Sequence, residues 1–401
     1  MMDAAPHVFL VAGEESGDRL GAALIAALHQ RTQGRVRVSG IGGERMAQLG
    51  VPSLFPIGDL AIIGFTDIPA RLPKILSRIR QAADAVIASN PDVLVIIDSP
   101  DFTHRVARRV RARASSIPIV DYVCPSVWAW RPGRAKTMRA YVDHVLALLP
   151  FEPAALQRLA GPPGTYVGHP LIEQIGDLRP DSAEADRGLE APRSLIVMPG
   201  SRRGEIRRMA PVFGATLGLL TKQSGELDVV VPAVARLESV VRQAVADWPV
   251  PARVITEASE KYAAFRSARA ALTKSGTSTL ELALAGIPMV AAYKLSVPEA
   301  IVAGLLLKVN TVILANLVLG ENVVPEFLQL KCTPKRLAAA LLPLLSDTPE
   351  RHRQVEAFAR LDAVMGAGGA PSDLAAEIVL GYTGNPNRPP REGLASLAPE
   401  A

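Results

Sequence analysis

Short apolar runs alternate with longer amphipathic segments along most of this chain. Continuous apolar runs of this kind are typical of strands buried on both faces of a parallel sheet, and the segments between them have helical spacing. In the first half, the predicted strands are residues 8–12, 35–40, 93–97, 117–123 and 145–149. The predicted helices between them are residues 18–29, 71–89, 103–114 and 134–141. This alternation indicates an α/β fold.

The pattern lapses into an Asp- and Glu-rich stretch after residue 170 and then resumes. Strands are predicted at 194–198, 228–232, 254–256 and 270–273, with helices at 209–223, 236–246 and 261–268. We therefore predict two doubly wound α/β domains, at residues 1–175 and 190–345.

The C-terminal part predicts helices at 335–345, 350–365 and 371–380. We expect residues 346–383 to pack back on the N-terminal domain. Residues 384–401 are rich in proline and polar residues, so we expect a disordered tail.

Composition agrees with two domains. A chain of 401 residues, 49% hydrophobic and 21% charged, is long enough to form two cores. Cys124 and Cys332 are far apart and lack paired spacing, which argues against a disulfide framework and a zinc site. The first residues carry no basic leader, and polar residues interrupt the most apolar stretch, 295–320, before it could span a bilayer. We therefore expect an intracellular protein without a membrane span.

Positive charge is concentrated in one region of the chain. The net charge is only +5, but residues 60–140 contain thirteen Lys or Arg against six Asp or Glu. Two interpretations are open: a surface for an anionic membrane or a phosphorylated lipid, or ordinary solvated helix faces. Nucleic acid is not expected as a partner, because aromatic residues are only 4% of the chain and the charge is weak. The basic residues on the two helices concerned are Arg105, Arg108, Arg109, Arg111, Arg113, Arg131, Arg134, Lys136 and Arg139.

Ligands of open parallel sheets bind outside the carboxyl ends of the strands, so two such domains predict an interdomain cleft. The strand 93–97 ends in Asp98-Ser99-Pro100-Asp101. A carboxylate at the end of a buried strand is a candidate general base. The alternative is that Asp98 or Asp101 caps the following helix. Asp101 fits the capping role better, which leaves Asp98 for catalysis.

Two further loops of the first domain suit sugar recognition. The first strand ends in a polar, acidic turn that includes Glu14, Ser16, Gly17 and Asp18, and its glycine spacing is not that of a dinucleotide fingerprint. Residues 124–131 contain two of the three tryptophans, and rigid indoles suit sugar faces and interfaces. Ordinary packing of these indoles is the alternative.

Two loops of the second domain suit a phosphate group. Gly200-Ser201-Arg202 follows a strand, and its guanidinium either holds a phosphate or is an ordinary surface arginine. Ser275-Gly276-Thr277-Ser278 opens a helix that contains Glu281. This segment is either an anion cradle with a carboxylate for a ribose, or a capping box of Ser278 and Glu281. No acidic cluster accompanies these loops, so we expect no metal and no other cofactor.

Taken together, the loops resemble the lipid-A-disaccharide synthase family. The resemblance implies a GT-B glycosyltransferase with two Rossmann-like domains facing an interdomain cleft. It also implies that UDP-2,3-diacylglucosamine is joined to 2,3-diacylglucosamine 1-phosphate through a β-1,6 linkage, with inversion and release of UDP. The motifs that carry it are residues 12–18, 40–43, 97–102, 125–131, 148–152, 168–170, 195–202 and 275–281.

The resemblance also assigns roles to residues. Asp98 would be the base for the acceptor 6-hydroxyl, and Glu14 would lie near the reacting sugars. The donor-nucleotide site would comprise Gly200, Ser201, Arg202, Ser275, Gly276, Thr277, Ser278, Glu281 and Asn316. The acceptor site would comprise Ser16, Gly17, Asp18, Ser126, Trp128, Trp130 and Arg131.

The family is peripheral to the cytoplasmic face of the inner membrane, which agrees with the basic region and with the apolar segment 60–65 beside it. A homodimer is left open. Three positions depart from the family pattern: Asp121 and Cys124 stand where His and Ser are usual, and Ala315 replaces a proline. They bear on acceptor contacts rather than on the reaction class.

Two other classes of function compete with this one. Nucleotide-sugar 2-epimerases share the fold and a similar phosphate loop, but epimerisation needs no acceptor. A non-catalytic protein that binds lipid or nucleic acid is the other alternative.

Overall fold

The computed structural model describes residues 5–60, 68–181, 184, 192–296, 309 and 311–383. It divides into two compact units: Met1–Pro170 together with Gly366–Ala401, and Leu171–Met365. Each unit contains one six-stranded parallel sheet. The prediction of two doubly wound α/β domains is confirmed.

The first sheet has the strand order β2-β1-β3-β4-β5-β6. Its strands are β1 (His7–Ala12), β2 (Arg37–Ile41), β3 (Val93–Ile97), β4 (Ile119–Tyr122), β5 (His144–Ala147) and β6 (Gly164–Tyr166). The helices of this part are α1 (Glu15–Thr32), α2 (Glu44–Gln48), α3 (Ile68–Ser89), α4 (Pro100–Arg113), α5 (Gly133–Met138) and α6 (Glu152–Arg158).

Both faces of the first sheet are covered by apolar side chains. Every residue of β1 and β3 is buried, as expected for central strands of a parallel sheet. One face packs on α3 and α4, through residues such as Ile79 and Val106. The other packs on α1 and the C-terminal helix, through Leu24 and Val379. Pairing of β1 with β3 puts Ala12 beside Ile97, so the loops after these strands emerge side by side.

The second sheet has the strand order β12-β11-β10-β7-β8-β9. Its strands are β7 (Arg193–Met198), β8 (Leu227–Pro232), β9 (Ala252–Ile255), β10 (Ala268–Lys274), β11 (Met289–Tyr293) and β12 (Glu326–Leu328). The helices are α7 (Ile175–Leu178), α8 (Arg203–Ser224), α9 (Glu238–Val245), α10 (Ala258–Arg266), α11 (Ser278–Leu284), α12 (Leu314–Leu319), α13 (Pro334–Leu341), α14 (Pro349–Ala359) and α15 (Leu361–Met365). Strands β7 and β10 are adjacent at the centre, with Met198 beside Thr273.

Three strands were not predicted. Strands β6 and β12 have three residues each, all half-buried, so neither forms an apolar run. Strand β11 is apolar, but it begins soon after the end of α11, and the short connection through Gly286 hides it from the pattern of runs. All three strands depend on pairing with neighbouring strands, which the local sequence does not reveal.

The C-terminal helices divide between the two units. Helices α14 and α15 belong to the second unit, and α16 (Pro371–Gly381) belongs to the first. There α16 packs on α1, and Arg31 pairs with Asp373 at 3.5 Å and with Glu377 at 3.1 Å. The chain crosses back at Gly366, not at the expected residue 346, because α14 is anchored in the second unit.

That anchor is a buried glutamine. Gln354 is 3% exposed, and its side chain accepts a hydrogen bond from the Met289 amide at 2.7 Å and donates one to the Met289 carbonyl at 3.1 Å. Both backbone groups at the start of β11 are thus satisfied by one side chain from α14.

No helix in the part of the chain that the structure describes is long and apolar enough to cross a bilayer. The expected tail at 384–401 and most of the apolar segment 60–65 lie outside the described residues.

Replacing Gln354 should loosen β11. Gln354→Met keeps the side-chain volume but leaves two buried backbone groups unpaired, at about 1–3 kcal/mol each. We expect amide exchange across Met289–Tyr293, followed by hydrogen–deuterium exchange mass spectrometry, to speed up at least tenfold. Gln223→Met, at an exposed position of α8, is the matched control and should leave that exchange unchanged. Equal exchange in both variants would contradict the anchoring role.

Candidate active site

Asp98 lies in a tight turn between β3 and α4. Asp98 and Ser99 have φ values of 52° and 47°, a left-handed conformation that is uncommon for residues other than glycine. The Asp98 carboxylate accepts hydrogen bonds from the Ser16 hydroxyl at 2.8 Å and from the Ser99 amide at 2.7 Å. Neither donor carries a formal charge, so both orient the carboxylate without neutralising it.

The turn requires a glycine on the neighbouring loop. A Cβ atom at Gly13 would lie 2.6 Å from the Ser99 Cβ, closer than side chains approach. The loops after β1 and β3 therefore meet without a side chain between them, which brings Ser16 to Asp98.

Helix α4 is not capped by an aspartate. Ser99 occupies the N-cap position without a side-chain cap bond, and its carbonyl accepts from the amides of Phe102 and Thr103. The Asp101 side chain is exposed and lies 3.9 Å from Arg134. The capping alternative for Asp98 and Asp101 is therefore wrong.

Asp98 lines a cavity of about 200 Å³. Another part of the wall is formed by residues of the segment 124–131, here called the tryptophan loop. Ser126, Trp130 and Arg131 line the cavity, together with Arg134. Trp130 is exposed, and the Arg131 guanidinium lies 4.4 Å from the centre of its ring. These residues, which were predicted separately, thus line one cavity with Asp98.

Trp128 is directed elsewhere. Its indole N–H donates to the Glu152 carboxylate at 3.1 Å, and its ring packs edge-on against Phe151. Glu152 also accepts from the amides of Leu148 and Leu149, at 3.1 and 3.0 Å. Trp128 does not line the Asp98 cavity; it fixes the base of the loop that does.

The burial of Glu152 perturbs its ionisation. The side chain is 4% exposed, and burial raises the pKa of Glu152 to about 7 even though three donors favour its charged form. Sequence reasoning did not select this residue, because a Glu at a helix start reads as an ordinary first-turn acid.

The acidic loop after β1 has mixed roles. Glu14 is exposed at the N-cap of α1, and Ser16 contacts Asp98 as described. Gly17 is buried, and a Cβ there would lie 3.1 Å from the Ile97 carbonyl oxygen. Asp18 is buried, and its oxygens accept from the amides of Gly43, Arg45 and Met46 at 2.6 to 3.1 Å. Gly17 and Asp18 are structural: Asp18 caps α2 instead of facing a ligand.

In the second unit, Glu205 organises the loop after β7. Gly200 has a φ of 144°, and a Cβ there would lie 2.5 Å from the Glu205 Cβ. The buried Glu205 accepts from the Ser201 amide at 3.0 Å and from Lys274 Nζ at 3.1 Å. Burial alone would raise the pKa of Glu205, but the Lys274 ammonium and the hydrogen bonds hold it below its usual value. Arg202 extends from this loop and is 77% exposed, 3.5 Å from Glu205.

The segment before α11 presents backbone amides. Gly276 has a φ of 151°, and the amides of Gly276, Thr277 and Ser278 donate to no group in the described part of the chain. The Ser275 hydroxyl is turned inward and donates to Glu326 at 3.2 Å. The segment thus exposes its main chain, while Ser275 fixes its shape.

Glu281 does not close a capping box. Its carboxylate pairs with Lys261 Nζ at 2.5 Å, and Thr277, not Ser278, is the N-cap residue, without a side-chain cap bond. The alternative that Ser278 and Glu281 form a capping box is therefore wrong.

Asn316 has a structural role. It is 2% exposed, its carbonyl oxygen accepts from the amides of Val323 and Val324, and its amide donates to the Val324 carbonyl. All these bonds tie α12 to the following loop. The expected nucleotide contact is not available to this side chain, because its polar atoms are engaged within the fold.

The three departures from the family pattern are all buried. Asp121 lies in β4, 3.1 Å from His104 Nε2. Cys124 lies at the start of the tryptophan loop, where burial raises the pKa of its thiol. Ala315 lies inside α12. Among the described residues, no group of three His, Cys, Asp or Glu side chains could hold a metal ion.

Comparison with known proteins identifies the family. A family model described as lipid-A-disaccharide synthetase matches residues 8–366. The chain belongs to the lipid-A-disaccharide synthase family. A synthase of that name from Nitrobacter hamburgensis is 60% identical over 93% of this chain and 95% of its own length. One from Bradyrhizobium diazoefficiens is 57% identical over 94% of this chain and 97% of its own length.

Solved structures agree on the fold. UDP-GlcNAc 2-epimerase from Neisseria meningitidis, bound to UDP-GlcNAc, has a TM-score of 0.61 at 13% identity, covering 93% of this chain and 99% of that one. MurG from Acinetobacter baumannii has a TM-score of 0.56 at 16% identity, covering 94% and 99%. The family membership makes this chain a glycosyltransferase that forms the lipid A disaccharide.

The Glu152 carboxyl should leave a signature in the pH dependence of stability. Its pKa is about 7 in the folded state against an ordinary value of 4.5, so the folded state binds the proton more tightly. The free energy of unfolding of the wild type should therefore fall, relative to that of Glu152→Gln, as the pH rises from about 4.5 to 7. The change is on the order of 2–3 kcal/mol.

Urea unfolding of the first unit at several pH values measures this difference. Groups common to both proteins cancel, including His144 and His169, whose pKa values burial lowers to about 4. Parallel stability curves for the two proteins would show that Glu152 is not a buried titrating group.

Proposed function

We propose that this chain transfers the sugar of UDP-2,3-diacylglucosamine to the 6-hydroxyl of 2,3-diacylglucosamine 1-phosphate and releases UDP. The observation that carries the proposal is Asp98, an oriented strand-end carboxylate that lines a cavity with Trp130 and Arg131. A carboxylate within reach of a bound hydroxyl can act as its general base.

In the proposed reaction, Asp98 accepts the proton of the acceptor 6-hydroxyl. The acceptor oxygen forms a bond to the anomeric carbon of the donor, and the bond from that carbon to the UDP oxygen breaks. One direct displacement inverts the anomeric configuration, so an α-linked donor gives a β-1,6 product. The hydrogen bonds from Ser16 and Ser99 hold the carboxylate in the position from which it takes the proton.

We propose that the second unit binds the UDP half of the donor. Arg202 is exposed, and its guanidinium suits a diphosphate oxygen. The amides of Gly276, Thr277 and Ser278, which donate to none of the described groups, are further donors for the same diphosphate. Together they would stabilise the charge that develops on the leaving UDP.

Glu205 and Lys274 help to fix the two loops that carry these donors. Their ion pair, with Glu205 buried and Lys274 half-buried, lies between the two phosphate loops, since Glu205 also accepts from the Ser201 amide and Lys274 approaches Gly276. Glu281 is proposed to accept from a ribose hydroxyl, with Lys261 keeping its carboxylate oriented.

The proposed location is the cytoplasmic face of the inner membrane. The acylated substrates require access to a bilayer, and Lys74 and Arg78, which follow the apolar segment 60–65 in the sequence, are cations suited to lipid phosphates. Both pair with Asp59 in the first unit.

The test is whether UDP release requires the acceptor. Purified protein in detergent micelles, given defined diacylated donor, should release UDP only when diacylglucosamine 1-phosphate is added. Mass spectrometry should then detect a tetraacyl disaccharide monophosphate. An epimerase would change the donor without acceptor, and UDP release in the absence of acceptor, with no disaccharide, would contradict the proposal.

A further inference from the structure

A second, larger cavity lies next to the Asp98 cavity in the first unit. It has a volume of about 340 Å³, and Pro100, Arg131 and Arg134 line both cavities. Arg105, Arg108 and His104 complete much of its wall. The proposed reaction assigns no role to these three residues.

The cavity has a strong excess of positive charge. Four guanidinium groups line it, from Arg105, Arg108, Arg131 and Arg134, and the one carboxylate in its wall is Asp101. Asp101 is 83% exposed and lies 3.9 Å from Arg134, so water screens its charge. Arg105 forms no ion pair within the described ranges of the chain. Arg105 and Arg108 are themselves exposed, and like charges that line one cavity repel one another, so a bound anion is favoured there.

Three of the four arginines are held in place by contacts with uncharged groups. Arg108 lies 4.8 Å from the centre of the Tyr141 ring and donates to the Tyr141 hydroxyl at 3.3 Å. Arg134 donates to the Pro100 carbonyl at 2.9 Å. Arg131 stacks on Trp130. Such preorganisation lowers the entropy cost of binding an anion.

Behind the arginines lies a buried polar chain. His104 is 2% exposed, with Nδ1 3.0 Å from the Tyr141 hydroxyl and Nε2 3.1 Å from the Asp121 carboxylate. Asp121, one of the departures from the family pattern, lies at the buried end of this chain, and neither of its oxygens accepts a hydrogen bond from the described residues.

We propose that this cavity binds a phosphomonoester, the 1-phosphate of the acceptor sugar. The inference rests on the proposed function. In that sugar, C1 and C5 flank the ring oxygen and C5 bears the CH2OH group, so the phosphate and the 6-hydroxyl leave neighbouring positions of one ring. A ring whose 6-hydroxyl reaches Asp98 would extend its phosphate towards the adjoining cavity, which shares the wall of Pro100, Arg131 and Arg134.

The chemistry of the wall favours this ligand. A phosphomonoester carries close to two negative charges and three acceptor oxygens, and guanidinium forks bind such groups with paired hydrogen bonds. A phosphate of a membrane lipid headgroup has related chemistry, and the experiment must separate the two sources.

The test compares two acceptors that differ only in the 1-phosphate. The ratio of kcat/KM for diacylglucosamine 1-phosphate to that for diacylglucosamine is measured in neutral detergent. Loss of one charged hydrogen-bonding group costs about tenfold or more, so this ratio should fall by at least that factor in Arg105→Gln. Arg109→Gln, exposed on the same helix and outside the cavity, should keep the wild-type ratio.

A binding measurement makes the result independent of turnover. The ³¹P NMR signal of glucosamine 1-phosphate should broaden or shift when wild-type protein or Arg109→Gln is added. The signal should change much less when Arg105→Gln is added. Arg105→Lys, which keeps the charge but loses the fork, should give an intermediate result.

The outcomes are distinguishable. An unchanged acceptor ratio and unchanged ³¹P binding in Arg105→Gln would overturn the inference while leaving the proposed function intact. A variant that loses only binding to vesicles containing an anionic lipid, with the ratio unchanged, would assign the cavity to a headgroup and likewise overturn it. Failure of the wild type to form disaccharide, with ³¹P binding retained, would contradict the proposed function instead.

Discussion

The site of the first unit depends on the close approach of two loops at the carboxyl ends of β1 and β3. Because these strands are neighbours, with Ala12 beside Ile97, the chain leaves the sheet twice at the same place. Gly13 leaves room for Ser99, and the left-handed turn at Asp98 and Ser99 directs the carboxylate to Ser16. A strained turn of this kind persists only where its surroundings hold it, and here the buried sheet holds it.

The second unit also places two loops at the carboxyl ends of adjacent central strands, but with different residues. Strands β7 and β10 are the adjacent central pair, and each is followed by a glycine with a positive φ, Gly200 and Gly276. Between the loops lies the ion pair of the buried Glu205 and the half-buried Lys274. Removing Lys274 would leave the buried Glu205 carboxylate without a compensating charge.

The sequence predicted the features that a local pattern of residues encodes. The apolar runs located most central strands, and polar residues at strand ends located Asp98, Arg202 and the segment from Ser275. It did not predict where side chains turn: Asp18 in α1 and Asn316 in α12 were expected to face ligands, yet the fold uses their oxygens for backbone amides. Glu152 and His104 were missed because their importance comes from burial and from partners distant in sequence.

Chemical rescue of Asp98→Ala is the most direct test of the claim that this carboxylate is the base. We expect kcat to fall about 100-fold or more, as is usual when a general base is lost. Formate, small enough for the space left by the side chain, should restore part of it, while Ser126→Ala should show no response to formate. Near-wild-type turnover of Asp98→Ala, or a folded variant that formate leaves inactive, would show that Asp98 is not the base.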